Sequence, residues 1–224
     1  MPEGGASGRV SVPFADLARA AYCRRQLYYA RRDDDRGPPP RVGERRRLAF
    51  RYRAIRDGAP VPDAVAVAPG VYRDRIDRLA DRADWEDLVA PAGRAVRLDG
   101  KDCHGIAHKV LADPPRPSVV SPGAPPERGV WAPQRVRAVA TAKALAWERE
   151  RSVERALVEY PAHGVVRTVR LTGGATADYR RTLRAVRRME GVPPRTDDRS
   201  KCGACAYRER CGVRTRSLRS LLFG

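Results

Sequence analysis

Apolar positions along this chain fall into helical spacing in five stretches and into short extended runs in four. From Pro13 to Arg31, the residues Phe14, Leu17, Ala18, Ala21 and Tyr22 recur at the interval of one helix face, with Pro13 in the first turn and Ser11 as the expected cap. Val42 to Arg56 is helical in pattern and very basic, and Val71 to Leu88 repeats Ile76, Leu79, Ala83 and Leu88. Gln134 to Tyr160, full of Ala, Arg, Leu and Glu, predicts one long helix. Thr176 to Met189 predicts another, stopped by Gly191, Pro193 and Pro194.

The extended runs are Arg94 to Leu98, Cys103 to Leu111, Ser118 to Ser121 and the β-branched Val165 to Leu171. Asp33 to Arg41 and Pro122 to Gly129 carry the Gly and Pro of loops, and Gly58 to Pro69 is irregular. Helices first, then strands, a long helix, a strand and a helix imply an α/β core whose sheet comes from the middle of the chain.

A length of 224 residues suits one domain. It is expected over 11–216, between a disordered N-terminus (1–10) and a short tail (217–224). No apolar run is long enough for a membrane span and Met1 to Gly8 does not read as a signal peptide, so the expectation is a cytoplasmic protein. The formal net charge of +18 changes the picture more. Only Lys101, Lys109, Lys143 and Lys201 are lysines; the remaining positive charge is arginine, whose planar fork suits phosphate, so nucleic acid is the expected partner class. Arg45, Arg46, Arg47, Arg51 and Arg53 form the densest cluster and are the candidate DNA contacts; a solvated helix face is the competing reading.

The cysteines carry the sharpest chemical signal. Cys202, Cys205 and Cys211 form a C-x2-C-x5-C run, and Cys23 lies far upstream in YCRRQLYY. Four thiolates suit either tetrahedral zinc or an iron–sulfur cluster, and spacing does not separate the two. With Cys23 as fourth ligand, a metal would tie the two ends of the chain together. An odd cysteine count argues against a disulfide framework, and Cys103 reads as a buried small hydrophobe.

The tyrosine-flanked Cys23 motif, the strand–strand–helix order from Cys103 to Tyr160, the strand Val165 to Leu171 and the ending GVPPRTDDRSKCGACAYRERCG together resemble the CRISPR-associated RecB-like exonucleases with an iron–sulfur cluster. The resemblance implies a restriction-endonuclease-like core of the P-D-(D/E)-x-K superfamily: a central mixed sheet flanked by helices, with an N-terminal helical part and a C-terminal cysteine loop over 199–214. It implies a 4Fe–4S cluster on Cys23, Cys202, Cys205 and Cys211, with DNA and CRISPR integration proteins as partners. It also implies a Mg²⁺- or Mn²⁺-dependent nuclease centre built on a His, an Asp and a Glu-x-Lys.

Those last residues are missing. Arg47 stands in the His position, Ala107 or His108 in the Asp position, and Ser121 and Gly123 in the Glu-x-Lys positions. Only Gln134 matches the family's downstream Gln. Without two carboxylates a hard cation has no ligands. The expected function is therefore a catalytically degenerate DNA-binding protein accessory to spacer acquisition or DNA processing. The alternatives are an active single-stranded DNA exonuclease and a zinc-stapled nucleic-acid-binding module. His104 and His108, an even four residues apart, are expected on one strand face, with Cys103 and Lys109 on the other.

Overall fold

A computed structural model of the chain describes residues 10–33, 37 and 39–212. Of the expected disordered segment 1–10, residues 1–9 lie outside the described residues, as do the tail 217–224 and several residues of the Asp33–Arg41 loop. Among these residues, six strands form one mixed sheet: β1 (Val12–Pro13), β2 (Gly93–Asp99), β3 (Cys103–Leu111), β4 (Arg116–Val120), β5 (Arg155–Tyr160) and β6 (Val165–Arg170). The strand β3 pairs antiparallel with both β2 and β4 and parallel with β1. The strand β5 runs parallel to β4 and antiparallel to β6.

Among the described residues, eight α-helices cover the sheet: α1 (Phe14–Tyr22), α2 (Arg24–Ala30), α3 (Pro40–Arg47), α4 (Tyr52–Arg56), α5 (Pro69–Ala80), α6 (Trp85–Val89), α7 (Ala132–Arg149) and α8 (Gly173–Arg187). The expected α/β architecture, a mixed sheet flanked by helices, is what the structure has.

Period-two alternation sends neighbouring side chains to opposite faces and so builds two cores. On one face, Ala107, Val119, Val158 and Val169 pack under α1, α7 and α8, with Phe14, Leu17, Val139 and Leu183. On the other, Leu111, Val120, Leu157 and Val166 meet Tyr52, Ile55, Tyr72 and Ile76 of α4 and α5. Each fully buried side chain of this size contributes about 1.5–3 kcal/mol. Gly105, at φ +148, lets β3 pass Phe14; a Cβ there would stand 2.6 Å from the Phe14 ring.

Several expectations need correction. The predicted helix Pro13–Arg31 is two helices, because Cys23 between them is extended, at φ −161 and ψ 120. Ser11 does not cap it: the Ser11 hydroxyl bonds His104 Nδ1 at 2.9 Å, and Val12–Pro13 forms β1 beside β3. The basic stretch Val42–Arg56 divides into α3, a 3₁₀ turn (Leu48–Phe50) and α4. The predicted helix Gln134–Tyr160 ends at Arg149, where Glu150 turns left-handed at φ 49, and its last residues are β5.

Cys103 and Lys109 also part company. Cys103 belongs to the α7 face, while Lys109 enters the α4–α6 face and bonds Glu159. That pair is wholly buried: Lys109 Nζ donates to Glu159 Oε2 (2.9 Å), Ala49 O (2.6 Å) and Leu88 O (2.9 Å), and Ser118 Oγ donates to Glu159 Oε1 (2.6 Å). All three ammonium protons are used. Burial pulls the Lys109 pKa down, and Glu159 pulls it back.

Candidate functional site

The break between α1 and α2 turns Cys23 toward the cysteine loop. Cys23 N–H still bonds Arg19 O (2.8 Å) and Leu27 N–H bonds Cys23 O (3.2 Å), so one residue closes a helix and opens the next. The C-terminal loop is a succession of tight turns, with Cys205 N–H on Cys202 O (3.2 Å) and Cys211 N–H on Tyr207 O (2.9 Å). Cys23, Cys202, Cys205 and Cys211 then all line one cavity of about 520 Å³, although the first lies at the opposite end of the sequence from the others. All four are free thiols.

The tyrosines around Cys23 hold the loop in place. Tyr22 OH donates to Lys201 O (2.8 Å), and Tyr29 OH to Arg210 O (3.1 Å). Tyr207 OH donates to Asp33 Oδ2 (2.9 Å), and the rings of Tyr29 and Tyr207 stack with centroids 6.0 Å apart. Gln26 Nε2 approaches Cys205 Sγ at 3.9 Å, and Arg195 grips Cys211 O through Nε (3.1 Å) and Nη2 (2.8 Å). Burial raises the Tyr22 pKa, and the Cys205, Cys202 and Cys23 sulfurs add to it.

Among the described residues, no three His, Cys, Asp or Glu side chains converge closely enough to chelate a single ion. The four thiols line one cavity. Arg25, Lys201 and Arg208 also line it and would offset thiolate charge. Four thiols are the donor type of an iron–sulfur or a zinc site. Cys103 is apart from them: it is 1% exposed, donates to Ala140 O (3.5 Å), and burial pushes its thiol up to about 11.

The second candidate centre lies where β3, β4, α3 and α7 meet. Ala107 is fully buried in the core. His108 Nδ1 accepts the Val120 N–H (3.0 Å), so the neutral ring carries its proton on Nε2. Burial, then Arg137 and Arg46, hold the His108 pKa down at about 3. In β2, Ala95, which the β2–β3 register skips, has φ 50, a costly conformation for a residue with a Cβ. Gln134 Nε2 donates to Ser121 Oγ (3.2 Å), so these two predicted positions do meet. Gly123 is exposed.

His104 turns away to Ser11, so the two histidines share no site. No carboxylate stands at any of the four positions, and Glu159, on the next strand, is consumed by Lys109 and Ser118. The residues present do not fit a Mg²⁺ or Mn²⁺ centre.

Of the candidate DNA contacts, Arg45 donates to Pro122 O (2.9 Å) and pins the loop after β4. Arg46 turns into the centre, Arg47 and Arg51 are exposed, and Arg53 pairs with Glu86. The five do not form one stripe. Arg137 was not singled out from the sequence. It lies three residues after Gln134, on the same face of α7, and that spacing was the available signal. No model of a known protein family matches this sequence, and no curated protein is significantly similar to it.

Proposed function

We propose that this chain is a DNA-binding protein stapled by a 4Fe–4S cluster, similar to the CRISPR-associated RecB-like exonucleases but without their hard-cation nuclease centre. One observation carries the reading: Cys23 meets Cys202, Cys205 and Cys211 around one cavity. The strand order supports it, since three antiparallel strands, a crossover helix and a parallel strand (β2, β3, β4, α7, β5) place His108, Ser121 and Gln134 together.

The cluster would serve as a structural clip. It joins α1 and α2 to the last loop, and binding free energy of an assembled metal site is folding free energy. The surrounding tyrosine hydroxyls and Arg195 hold the loop carbonyls, which orients the thiols toward the cavity.

The net charge of +18 favours phosphate contacts, with affinity falling as salt rises. A role accessory to spacer acquisition or DNA processing, in the cytoplasm and beside CRISPR integration proteins, follows from the resemblance. The test is fluorescence anisotropy on single-stranded and duplex DNA across a salt series, beside cleavage assays with Mg²⁺ and Mn²⁺. Salt-dependent binding without cleavage is expected. Mn²⁺-dependent cleavage that tracks with this chain through stringent purification would overturn the degenerate reading. Absence of binding at low salt would remove DNA as the partner.

A further inference from the structure

We infer that the former cation site has become an oxyanion site, in which Arg46, Arg137 and His108 hold one phosphate of a nucleic-acid strand; this rests on the DNA-binding reading above. The two arginines come from different elements, α3 and α7, and the positive charge of both acts on His108. Neither has an ion-pair or side-chain hydrogen-bond partner among the described residues. The Nε atoms of both are buried and unpaired, as is Gln134 Oε1 beside them.

Both arginines are half-buried, and like charges brought together without a counter-charge are costly. Burial and Arg46 pull the Arg137 pKa down to about 10, with Arg19 adding to it, and no acid opposes the shift. A phosphate supplies what is missing: a compact negative charge with several acceptor oxygens, matched to guanidinium forks. His108 is the third donor. Its Nδ1 is taken by the Val120 N–H, which leaves Nε2–H directed elsewhere. Ser121 Oγ, already accepting from Gln134, keeps a hydroxyl proton to donate. Where the resembled family places carboxylates for a cation, this chain places donors and positive charge.

The experiment uses the full chain with its cysteine site loaded, and three variants: Arg46→Met, Arg137→Met and the double. Melting is followed in chloride and in inorganic phosphate at equal ionic strength. Phosphate should raise the wild-type Tm and shift the His108 ring signals in ¹H–¹⁵N spectra. In chloride, Arg137→Met should melt at or above wild type, because a like charge has been removed; in phosphate the order should reverse. Binding of a short oligothymidylate should weaken about tenfold in the double variant, and the log–log salt slope should fall by about 0.7, one single-strand phosphate.

A wild-type Tm and His108 signals indifferent to phosphate would overturn the inference, as would equal destabilisation of the arginine variants in both buffers. Salt-dependent oligonucleotide binding unchanged in the double variant would sink the site and leave the DNA-binding reading standing. Arginine-dependent binding of inorganic phosphate with no oligonucleotide binding would keep the oxyanion site and remove the strand as its source.

Discussion

Replacing Lys109 by Met should be among the most damaging single changes in the β-sheet. Lys109 and Glu159 are both 0% exposed, and the ammonium serves three acceptors at once. Methionine fills similar volume, so packing is nearly kept. What remains is a Glu159 carboxylate with one donor, Ser118 Oγ, and two buried carbonyls, Ala49 O and Leu88 O, with none from Lys109. Breaking a buried pair by removing one partner costs about 3–5 kcal/mol. At about 2–4 °C per kcal/mol for a chain of this size, the Tm should drop by roughly 10 °C or more. A second change, Glu159→Gln, removes the uncompensated charge while keeping an acceptor for Ser118. The double variant should therefore recover a substantial part of the loss, with a coupling of about 1–3 kcal/mol. Urea unfolding followed by circular dichroism, at matched metal content, reads both numbers. A Lys109→Met variant within about 1 kcal/mol of wild type, or a double variant as unstable as the sum of the singles, would refute the reasoning.

Other consequences are as direct. Cys202→Ala and Cys211→Ala should each lose the bound metal and much of the folded protein, whereas Cys103→Ala should keep the metal; absorbance and metal content after anaerobic purification check this. In phosphate-free buffer, His108 should make the fold acid-sensitive. Its folded pKa of about 3 lies below the ordinary 6.5, so the unfolded chain takes up the proton first and stability is lost as pH falls from about 6.5 toward 3. His108→Gln should remove up to ~1.4 kcal/mol of that loss per pH unit, measured by urea unfolding from pH 7 to 4.5. Gly105→Ala, at φ +148 and 2.6 Å from Phe14, should lower stability by more than about 1 kcal/mol in thermal melts.

Much of the sheet was legible because its strands are short apolar or β-branched runs bounded by Gly and Pro. The run Cys103 to Leu111 is β3 residue for residue, and Val165 to Arg170 differs from expectation only at its end. The misses have local causes. Arg155 to Tyr160 is composed largely of residues that also favour helices, and the helix before it closes at Glu150 without a glycine or proline to mark the end. Likewise nothing in the sequence around Cys23 breaks a helix; the residues flanking the break, Tyr22, Gln26 and Tyr29, bond the C-terminal loop, a partner distant in sequence. The turn 81–84 between α5 and α6 is set by buried Asp84, which accepts from Arg82 and faces Arg116, a partner distant in sequence.

The candidate site divides the same way. Three cysteines announce themselves by spacing, and the fourth needed either a resemblance or a fold. The inward arginines announce nothing, because in so arginine-rich a chain no single one stands out. Only packing separates Arg46, turned into the cleft, from Arg47, turned to solvent. Glu159, read as part of a helix, could not be matched to Lys109 until β5 put it on the neighbouring face.

The most direct test of the account is the metal content of anaerobically purified protein. A cluster on Cys23, Cys202, Cys205 and Cys211 requires roughly four irons per chain and a brown chromophore, both lost in Cys23→Ala and both kept in Cys103→Ala. Stoichiometric zinc without visible absorbance, or iron that survives removal of Cys23, would contradict it.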